Sequence, residues 1–274
     1  MSAAASRSEH QRATGELRVS IKLRDGRGVL EGLRQEGCLK ARFPRPVDWM
    51  EITTLNTSGG IAGGDFLRSA LVIRPGARAT ITSQTAERFY RALDADPPAD
   101  IRTEISVGAG AACEWLPQES ILFDGCAMDR TLVVDIAADG WFLGVESLVL
   151  GRAAMGERVR TARVRDAWRV RRDGRWLLHE AIRLGGDVTA QLAGIATARG
   201  QGAMATIVLV SPDAADRLDA VRAALGNAEA GASAWNGMLV ARIMAPDGAA
   251  LRAGVMAVLS CLRNDRTLPR VWQC

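Results

Sequence analysis

A glycine-rich loop is the first stretch of the sequence whose residue types could bind a ligand. Four glycines fall within six residues, between an asparagine and an aspartate: Asn56, Gly59, Gly60, Gly63, Gly64 and Asp65. A Walker phosphate loop requires Lys and then Ser or Thr after its last glycine, but here Asp65 and Phe66 follow. A dinucleotide loop requires a helix next, whereas residues 66–76 predict a strand and a turn. We therefore favour a tight turn between packed strands, with Asp65 capping backbone N–H groups, over a nucleotide or metal site.

Three acidic residues could form a cation site. Glu114, Glu119 and Asp124 fall close together around a turn that contains Pro117. A carboxylate cluster can hold a divalent ion such as nickel weakly and reversibly. Solvated loop acids are the alternative, and the residues by themselves favour it.

Two further carboxylates interrupt apolar runs. Glu146 lies within the apolar residues 142–148, and Glu180 lies beside His179 in another apolar run. A buried carboxylate costs several kcal/mol unless it is paired. Each of these residues therefore requires an arginine partner, a water-filled cavity or a metal. Arginines of the long hairpin described below are the candidate partners.

The sequence contains no known motif of a hydrolase. There is no GxSxG nucleophile elbow, no HExxH and no His/Asp/Ser set. The two histidines are His10, near the N-terminus, and His179, which we interpret as structural. This absence points away from an enzyme. The five cysteines include no CxxC pair, so a disulfide framework and a structural zinc site are not expected: Cys38, Cys113, Cys126, Cys261 and Cys274.

Charge and hydropathy narrow the class of protein. The net charge is +4, which is low for a dedicated nucleic-acid binder of 274 residues. The main basic feature is an arginine-rich stretch over residues 158–175, which we interpret as the solvent face of a long hairpin that could dock an acidic partner. A basic, β-rich binder of nucleic acid or another polyanion is the alternative. Residues 1–16 predict a disordered tail rather than a secretory signal, and no apolar run could span a membrane, so we expect a cytoplasmic protein.

Apolar residues alternate with period two along most of the chain, which predicts strands. Residues 71–81, with the turn Pro75-Gly76, predict a hairpin, and so do residues 158–184, whose turn is Asp173-Gly174. Helical patterns occur only late, at 211–226 after Ser211 and at 249–262. The prediction is one all-β dominated domain over residues 17–274, with many strands in layered or helically wound sheets and two helices near the C-terminus.

The sequence also resembles a known family, the urease accessory protein UreD (also called UreH). The resemblance rests on ordered blocks from about Leu17 to Trp272. They are residues 56–65, 75–79, 82–86, 90–91, 114–119, 121–125, 151–152, Met155-Gly156-Glu157 and 269–272. One glycine-rich block would be weak support, but several blocks in order over nearly the whole chain are strong support.

The resemblance implies a non-enzymatic maturation factor. Proteins of this family bind the urease apoprotein together with UreF and the GTPase UreG, and assist the GTP-dependent insertion of nickel. A water-filled passage through the protein is thought to conduct the metal. The resemblance thus implies transient nickel but no tightly bound cofactor, contact with the urease structural subunits, a possible dimer through the UreF-containing complex, and no nucleic acid or membrane. Candidate residues along such a passage are Glu146, Glu180, Glu119 and Asp124. Trp272, near the C-terminus, is a candidate interface anchor.

Overall fold

The fold was analysed in a computed structural model that describes residues 12–46, 48–93, 95–152, 156–264 and 266–273. His10, Met155, Cys274 and the tail up to residue 11 lie outside these ranges. Strands form two sheets. The first sheet contains, from edge to edge, β14 (Arg175–Asp187), β13 (Thr161–Arg172), β11 (Ala127–Ile136), β8 (Ala99–Val107), β5 (Phe66–Ile73), β1 (Thr14–Arg24) and β2 (Arg27–Gly37).

The second sheet faces the first across an apolar core. Its order is β16 (Glu229–Trp235), β17 (Met238–Ala245), β15 (Ala203–Val210), β12 (Trp141–Leu150), β9 (Ala112–Leu116), β6 (Arg78–Ser83), β4 (Met50–Asn56) and β3 (Leu39–Arg42). Two short strands, β10 (Ser120–Leu122) and β7 (Glu87–Phe89), extend from β12. The described residues also form α1 (Val188–Ala193), α2 (Leu218–Leu225), α3 (Gly248–Leu262) and a 3₁₀ turn at Arg270–Trp272.

The chain winds helically between the two sheets. From β4 to β13 successive long strands alternate between the second sheet and the first, and from β6 onward each pairs in parallel with the strand one turn earlier. Antiparallel strands flank this winding: β2 beyond β1, and β14 beyond β13. The predicted fold class, β-dominated and helically wound with two helices late in the chain, is confirmed.

The prediction of a β-hairpin around Pro75-Gly76 is wrong. β5 and β6 lie in different sheets, and the turn instead hydrogen-bonds to the next winding, from Gly76 N–H to the Ala109 carbonyl at 2.9 Å. Alternation with period two indicates that each strand has one buried face, but it is the same whether the next strand pairs in the same sheet or crosses to the opposite one. The hairpin of β13 and β14 is confirmed, and both turn residues, Asp173 and Gly174, have positive φ.

Three further boundaries differ from the prediction. β1 begins at Thr14, so residues 14–16 belong to the fold rather than to the tail. α2 begins at Leu218 and not after Ser211, because the Ser211 hydroxyl bonds to the carboxylate of Asp213 and the intervening residues form turns. The six-residue α1 was not predicted, since it is too short to show an apolar stripe.

A second core lies on the outer face of the second sheet. Leu143 and Val145 of β12 belong to it, together with Val255 and Leu259 of α3. Trp272 closes this core: it is only 2% exposed, and its indole N–H donates to the Leu116 carbonyl at 3.0 Å. The suggestion that Trp272 is an exposed interface anchor is therefore wrong, since the C-terminal segment completes the core.

The glycine loop carries the chain from β4 in the second sheet to β5 in the first. Asp65 is buried, and its carboxylate accepts the backbone N–H groups of Ala13 and Ala62, both at 2.8 Å. Gly59 and Gly60 have φ of +82° and +143°. A Cβ on Gly60 would lie 2.3 Å from the Tyr90 ring and 3.0 Å from the Arg88 carbonyl, whereas one on Gly59 would meet nothing within 4 Å.

These two glycines allow backbone strain to be separated from close packing. Gly59→Ala should lower the free energy of unfolding by about 1 kcal/mol, the cost of a positive φ. Gly60→Ala should lower it by about 2–4 kcal/mol, since overpacking against Tyr90 and the Arg88 carbonyl adds to the strain. Urea unfolding of both variants measures the difference. Equal losses of unfolding free energy would mean that the loop can shift to relieve the contacts of a Cβ at Gly60.

Candidate functional site

A cavity of about 380 Å³ lies between the two sheets and reaches the glycine loop. Apolar side chains such as Leu17 and Leu71 line one part of it. Its polar part is lined by Asn56, Glu87, Gln118, Ser120, Arg130 and Glu146. This is the one described cavity in which candidate residues from the sequence analysis meet further buried charges.

Glu146 enters this space because of the alternation along β12. Its neighbours two residues away on the same face are Gly144 and Leu148, while Val145 points to the helices. The Glu146 residue is 6% exposed. Its Oε1 accepts the indole N–H of Trp115 at 2.8 Å. Its Oε2 lies 2.7 Å from an Nη of Arg130, an ionic contact that lacks the alignment of a hydrogen bond.

Arg130 directs its aligned hydrogen bonds elsewhere. β11 and β13 are parallel neighbours that place Arg130 beside Asp166. Two guanidinium N–H groups donate to the Asp166 carboxylate at 2.8 and 2.7 Å, and a third donates to the Ser120 hydroxyl at 2.8 Å. Asp166 is 4% exposed. Asp166 of the hairpin therefore competes with Glu146 for one guanidinium. The arginine in contact with Glu146 belongs to β11, so the alternative of a salt bridge to a hairpin arginine is not found for Glu146 among the described residues.

The electrostatics of the group follow from this geometry. Burial raises the pKa of Glu146 to about 7: Arg130 and the Trp115 N–H oppose the shift, and the Asp166 charge adds to it. Burial alone would lower the pKa of Arg130, but the two carboxylates outweigh it and raise the pKa. Burial also raises the pKa of Glu87, against a hydrogen bond from the Asn56 amide at 3.1 Å. The cavity therefore holds two carboxyl groups that take up protons more readily than exposed ones.

The other candidate acids lie elsewhere. Glu180 is half-buried at the edge of the first sheet and forms an ion pair with Arg242 of the second sheet, so the fully buried carboxylate expected there is not found. Glu119 accepts from Arg252 at 2.9 Å. Asp124 accepts the backbone N–H groups of Arg160 and Thr161 at 2.8 and 3.0 Å, which lower its pKa.

Glu114 faces away from the cavity, towards the helices. It is fully buried and receives two hydrogen bonds from Arg263, at 2.9 and 3.1 Å. Arg266 and the Thr80 hydroxyl complete its shell. The acids around Pro117 are therefore divided among separate structural contacts. Within the described ranges, no three His, Cys, Asp or Glu side chains are grouped so that they could hold a metal.

Arg130 and Asp166 are the site residues that the sequence analysis missed. Asp166 interrupts an alternating buried row of β13, between Val164 and Trp168. That pattern is the same signal that identified Glu146, and it could have been found. Arg130 has no such signal, because its importance depends on the register between β11 and β13.

The fold and the site together define a class: a helically wound pair of β-sheets with a charged cavity between them and a helical layer on one side. Comparison with known sequences defines the family. The sequence model described as UreD urease accessory protein matches residues 13–273. The urease accessory protein UreD of Rhizobium leguminosarum bv. trifolii (strain WSM2304) is 44% identical over 273 residues, 99% of each chain. That of Chelativorans sp. (strain BNC1) is 43% identical over 264 residues, 96% of this chain and 94% of its own.

The chain belongs to the UreD family of urease accessory proteins. Family membership supports a role in urease maturation. Among the helices of the described residues, none is long and apolar enough to cross a membrane.

The unequal sharing of Arg130 predicts unequal costs of neutralising its two acids. Asp166→Asn removes the paired charge and weakens both aligned hydrogen bonds, and it should lower the free energy of unfolding at pH 7 by about 3 kcal/mol. Glu146→Gln leaves Arg130 paired with Asp166 and should change it by about 1 kcal/mol or less. Urea unfolding of the two variants measures both changes in the free energy of unfolding. Equal costs would show that Glu146 is a full partner of Arg130.

The raised pKa of Glu146 predicts a dependence of stability on pH. An unfolded glutamate has a pKa of about 4.3, so between that pH and about 7 the folded protein holds a proton that the unfolded chain releases. The wild-type protein should therefore lose stability relative to Glu146→Gln as the pH rises from 5 to 8, by up to about 3 kcal/mol. Glu87 is present in both proteins, so the contribution of its raised pKa cancels in the difference between the wild-type protein and the variant. A difference that is constant with pH would assign Glu146 an ordinary pKa.

Proposed function

We propose that the protein is a non-enzymatic urease maturation factor that binds the urease apoprotein with UreF and UreG in the cytoplasm and assists GTP-dependent nickel insertion. The observation that carries the proposal is the family match over residues 13–273. UreF is the direct partner and bridges the protein to UreG, and a dimer would form through the UreF-containing complex.

The interior of the protein supports a nickel passage. Nickel is a cargo here, held briefly and without a resident cofactor. Carboxylate and water oxygens bind Ni²⁺ less firmly than sites that combine nitrogen and sulfur ligands, so they suit transfer. Glu87 and Glu146 supply such oxygens in the cavity, and the glycine loop lies at its margin. Glu180, Glu119 and Asp124 do not line this cavity.

Arg130 places a constraint on this passage. A guanidinium repels a cation, but the bidentate pairing with Asp166 offsets its charge. Glu146, in contact with the same guanidinium, then carries the net negative charge that a passing cation would meet. Its pKa of about 7 makes that charge dependent on pH near neutrality.

Two other functions have weaker support. Among the described residues, several hairpin arginines already form ion pairs with acids of the same sheet, including Arg165 with Asp129 and Arg171 with Asp135, which leaves fewer charges for nucleic acid. A nucleotide in the glycine loop would require open backbone N–H groups beside a helix, but β5 follows the loop and Asp65 accepts the Ala62 N–H. Nucleic-acid binding with a steep salt dependence would support the first of these functions. Micromolar nucleotide binding measured by calorimetry would support the second.

Deletion of the gene tests the maturation role. Urease protein should still accumulate but should be nickel-poor and inactive, and a plasmid copy of this chain should restore activity. The measurements are urease activity and nickel per urease active site. Full activity in the deletion strain at ordinary nickel would contradict the proposal.

A matched pair of variants tests the passage. Glu146→Gln removes a carboxylate from the cavity and should slow activation several-fold at limiting nickel. Glu180→Gln makes the same chemical change outside the cavity lining and should activate urease at the wild-type rate. Both variants must first be shown to fold and to bind UreF and urease. If Glu146→Gln activates at the wild-type rate under limiting nickel, Glu146 does not belong to the passage.

A further inference from the structure

The edge of the first sheet at β14 is open over part of its length. β14 pairs with β13 on one side and is the last strand of the sheet. In an antiparallel pair, alternate residues direct both backbone groups away from the partner strand. Arg183 is such a residue, since its carbonyl accepts from the Gln191 amide of α1 at 3.2 Å, and the same side chain accepts the Gly185 N–H at 3.1 Å. Gln191 thus closes this end of the edge.

The middle of the same edge is not closed. By the alternation of the pair, the backbone groups of Ala181 and His179 also point outward. Both residues are exposed, and no backbone partner beyond β13 is found for them among the described residues. An extended segment could therefore pair there.

The opposite sheet extends one strand further and leaves space for such a segment. β17 lies opposite β14, as the contact between Arg242 and Glu180 shows, and β16 lies beyond β17. Ser233 and Trp235 stand beside Val240 and Met238, which point into the core between the sheets. Because directly paired residues share a face, Ser233 and Trp235 point the same way, yet both are exposed. A strand added to β14 would lie over them.

The positive charge beside this edge indicates which kind of segment could bind there. Arg169 and Arg183 have no carboxylate partner among the described residues, unlike Arg165 and Arg171 on the same face. The Arg169 Nε is buried without an acceptor. Next to these arginines, the exposed ring of Trp176 stacks on His179. Unpaired arginines and an aromatic anchor favour an acidic partner.

We propose that the β14 edge binds an extended acidic segment of a protein partner by strand addition, with main-chain pairing at His179 and Ala181 and carboxylates placed against Arg169 and Arg183. A second copy of this chain is the wrong occupant, because pairing β14 with itself would bring like arginines together. Nucleic acid is less suited, since its binding requires a longer track of phosphate contacts than this short edge offers.

The test uses the full-length protein and a short, capped peptide of alternating glutamate and valine as the probe. The peptide should bind, and hydrogen exchange should slow at the amides of His179 and Ala181. The double variant Arg169→Glu with Arg183→Glu should weaken binding about tenfold, since two attractive contacts become repulsive. Ala181→Pro removes only an outward N–H and should weaken binding similarly while the fold is kept.

Controls separate this surface from general charge. Arg27→Glu changes an exposed arginine at the far edge of the same sheet and should leave binding unchanged. A lysine–valine peptide should not bind. No binding of the acidic peptide at millimolar concentration, or equal binding by the wild-type protein and both β14 variants, would overturn the proposal. So would a thymidine oligonucleotide that binds more tightly than the peptide and depends on the same arginines.

Discussion

One buried guanidinium connects the two sheets of this protein. Arg130 reaches from the first sheet to Asp166 on the neighbouring strand, to Ser120 of β10, and to Glu146 of the second sheet. A charge in this position is tolerated only with good partners, because removing one partner leaves an uncompensated ion in an apolar layer. These contacts fix the relative positions of four strands, β10 to β13, and they leave one carboxyl group, Glu146, only partly satisfied.

A second ionic cluster on the other face of the same sheet holds the helical layer. Glu114 and Trp115 are neighbours on β9 and point to opposite faces. Trp115 donates to Glu146 in the cavity, while Glu114 receives Arg263 and Arg266 from the end of the chain. A change in the position of β9 would therefore alter contacts both in the cavity and in the helical layer. The two arginines compensate the charge of Glu114, so a carboxylate with no access to solvent can be kept there.

Several sequence blocks that carry the family resemblance come together at one side of the winding. Ile61 of the glycine loop bridges to Phe89, β7 pairs with β10, and β10 pairs with the end of β12. Residues far apart in the chain thereby form a stack of successive turns beside the cavity. The glycines of the first turn permit this stacking, because a side chain at Gly60 would displace Tyr90 of the next turn.

The sequence alone determined the alternating strands, the late helices, the β13–β14 hairpin turn and the buried position of Glu146, because each depends on residues close in the chain. Period-two alternation indicates one buried face, and positive φ at a two-residue turn requires Asp-Gly or its equivalent. Only the tertiary structure decided that β5 and β6 separate into two sheets, that Trp272 is buried, and that Glu180 meets Arg242 at an edge. It also decided that Glu146 shares Arg130 with Asp166. These contacts depend on strand register and on which sheet a strand joins. Neither can be read from the local sequence, because the same alternation of apolar residues is compatible with every register that keeps the apolar face inward.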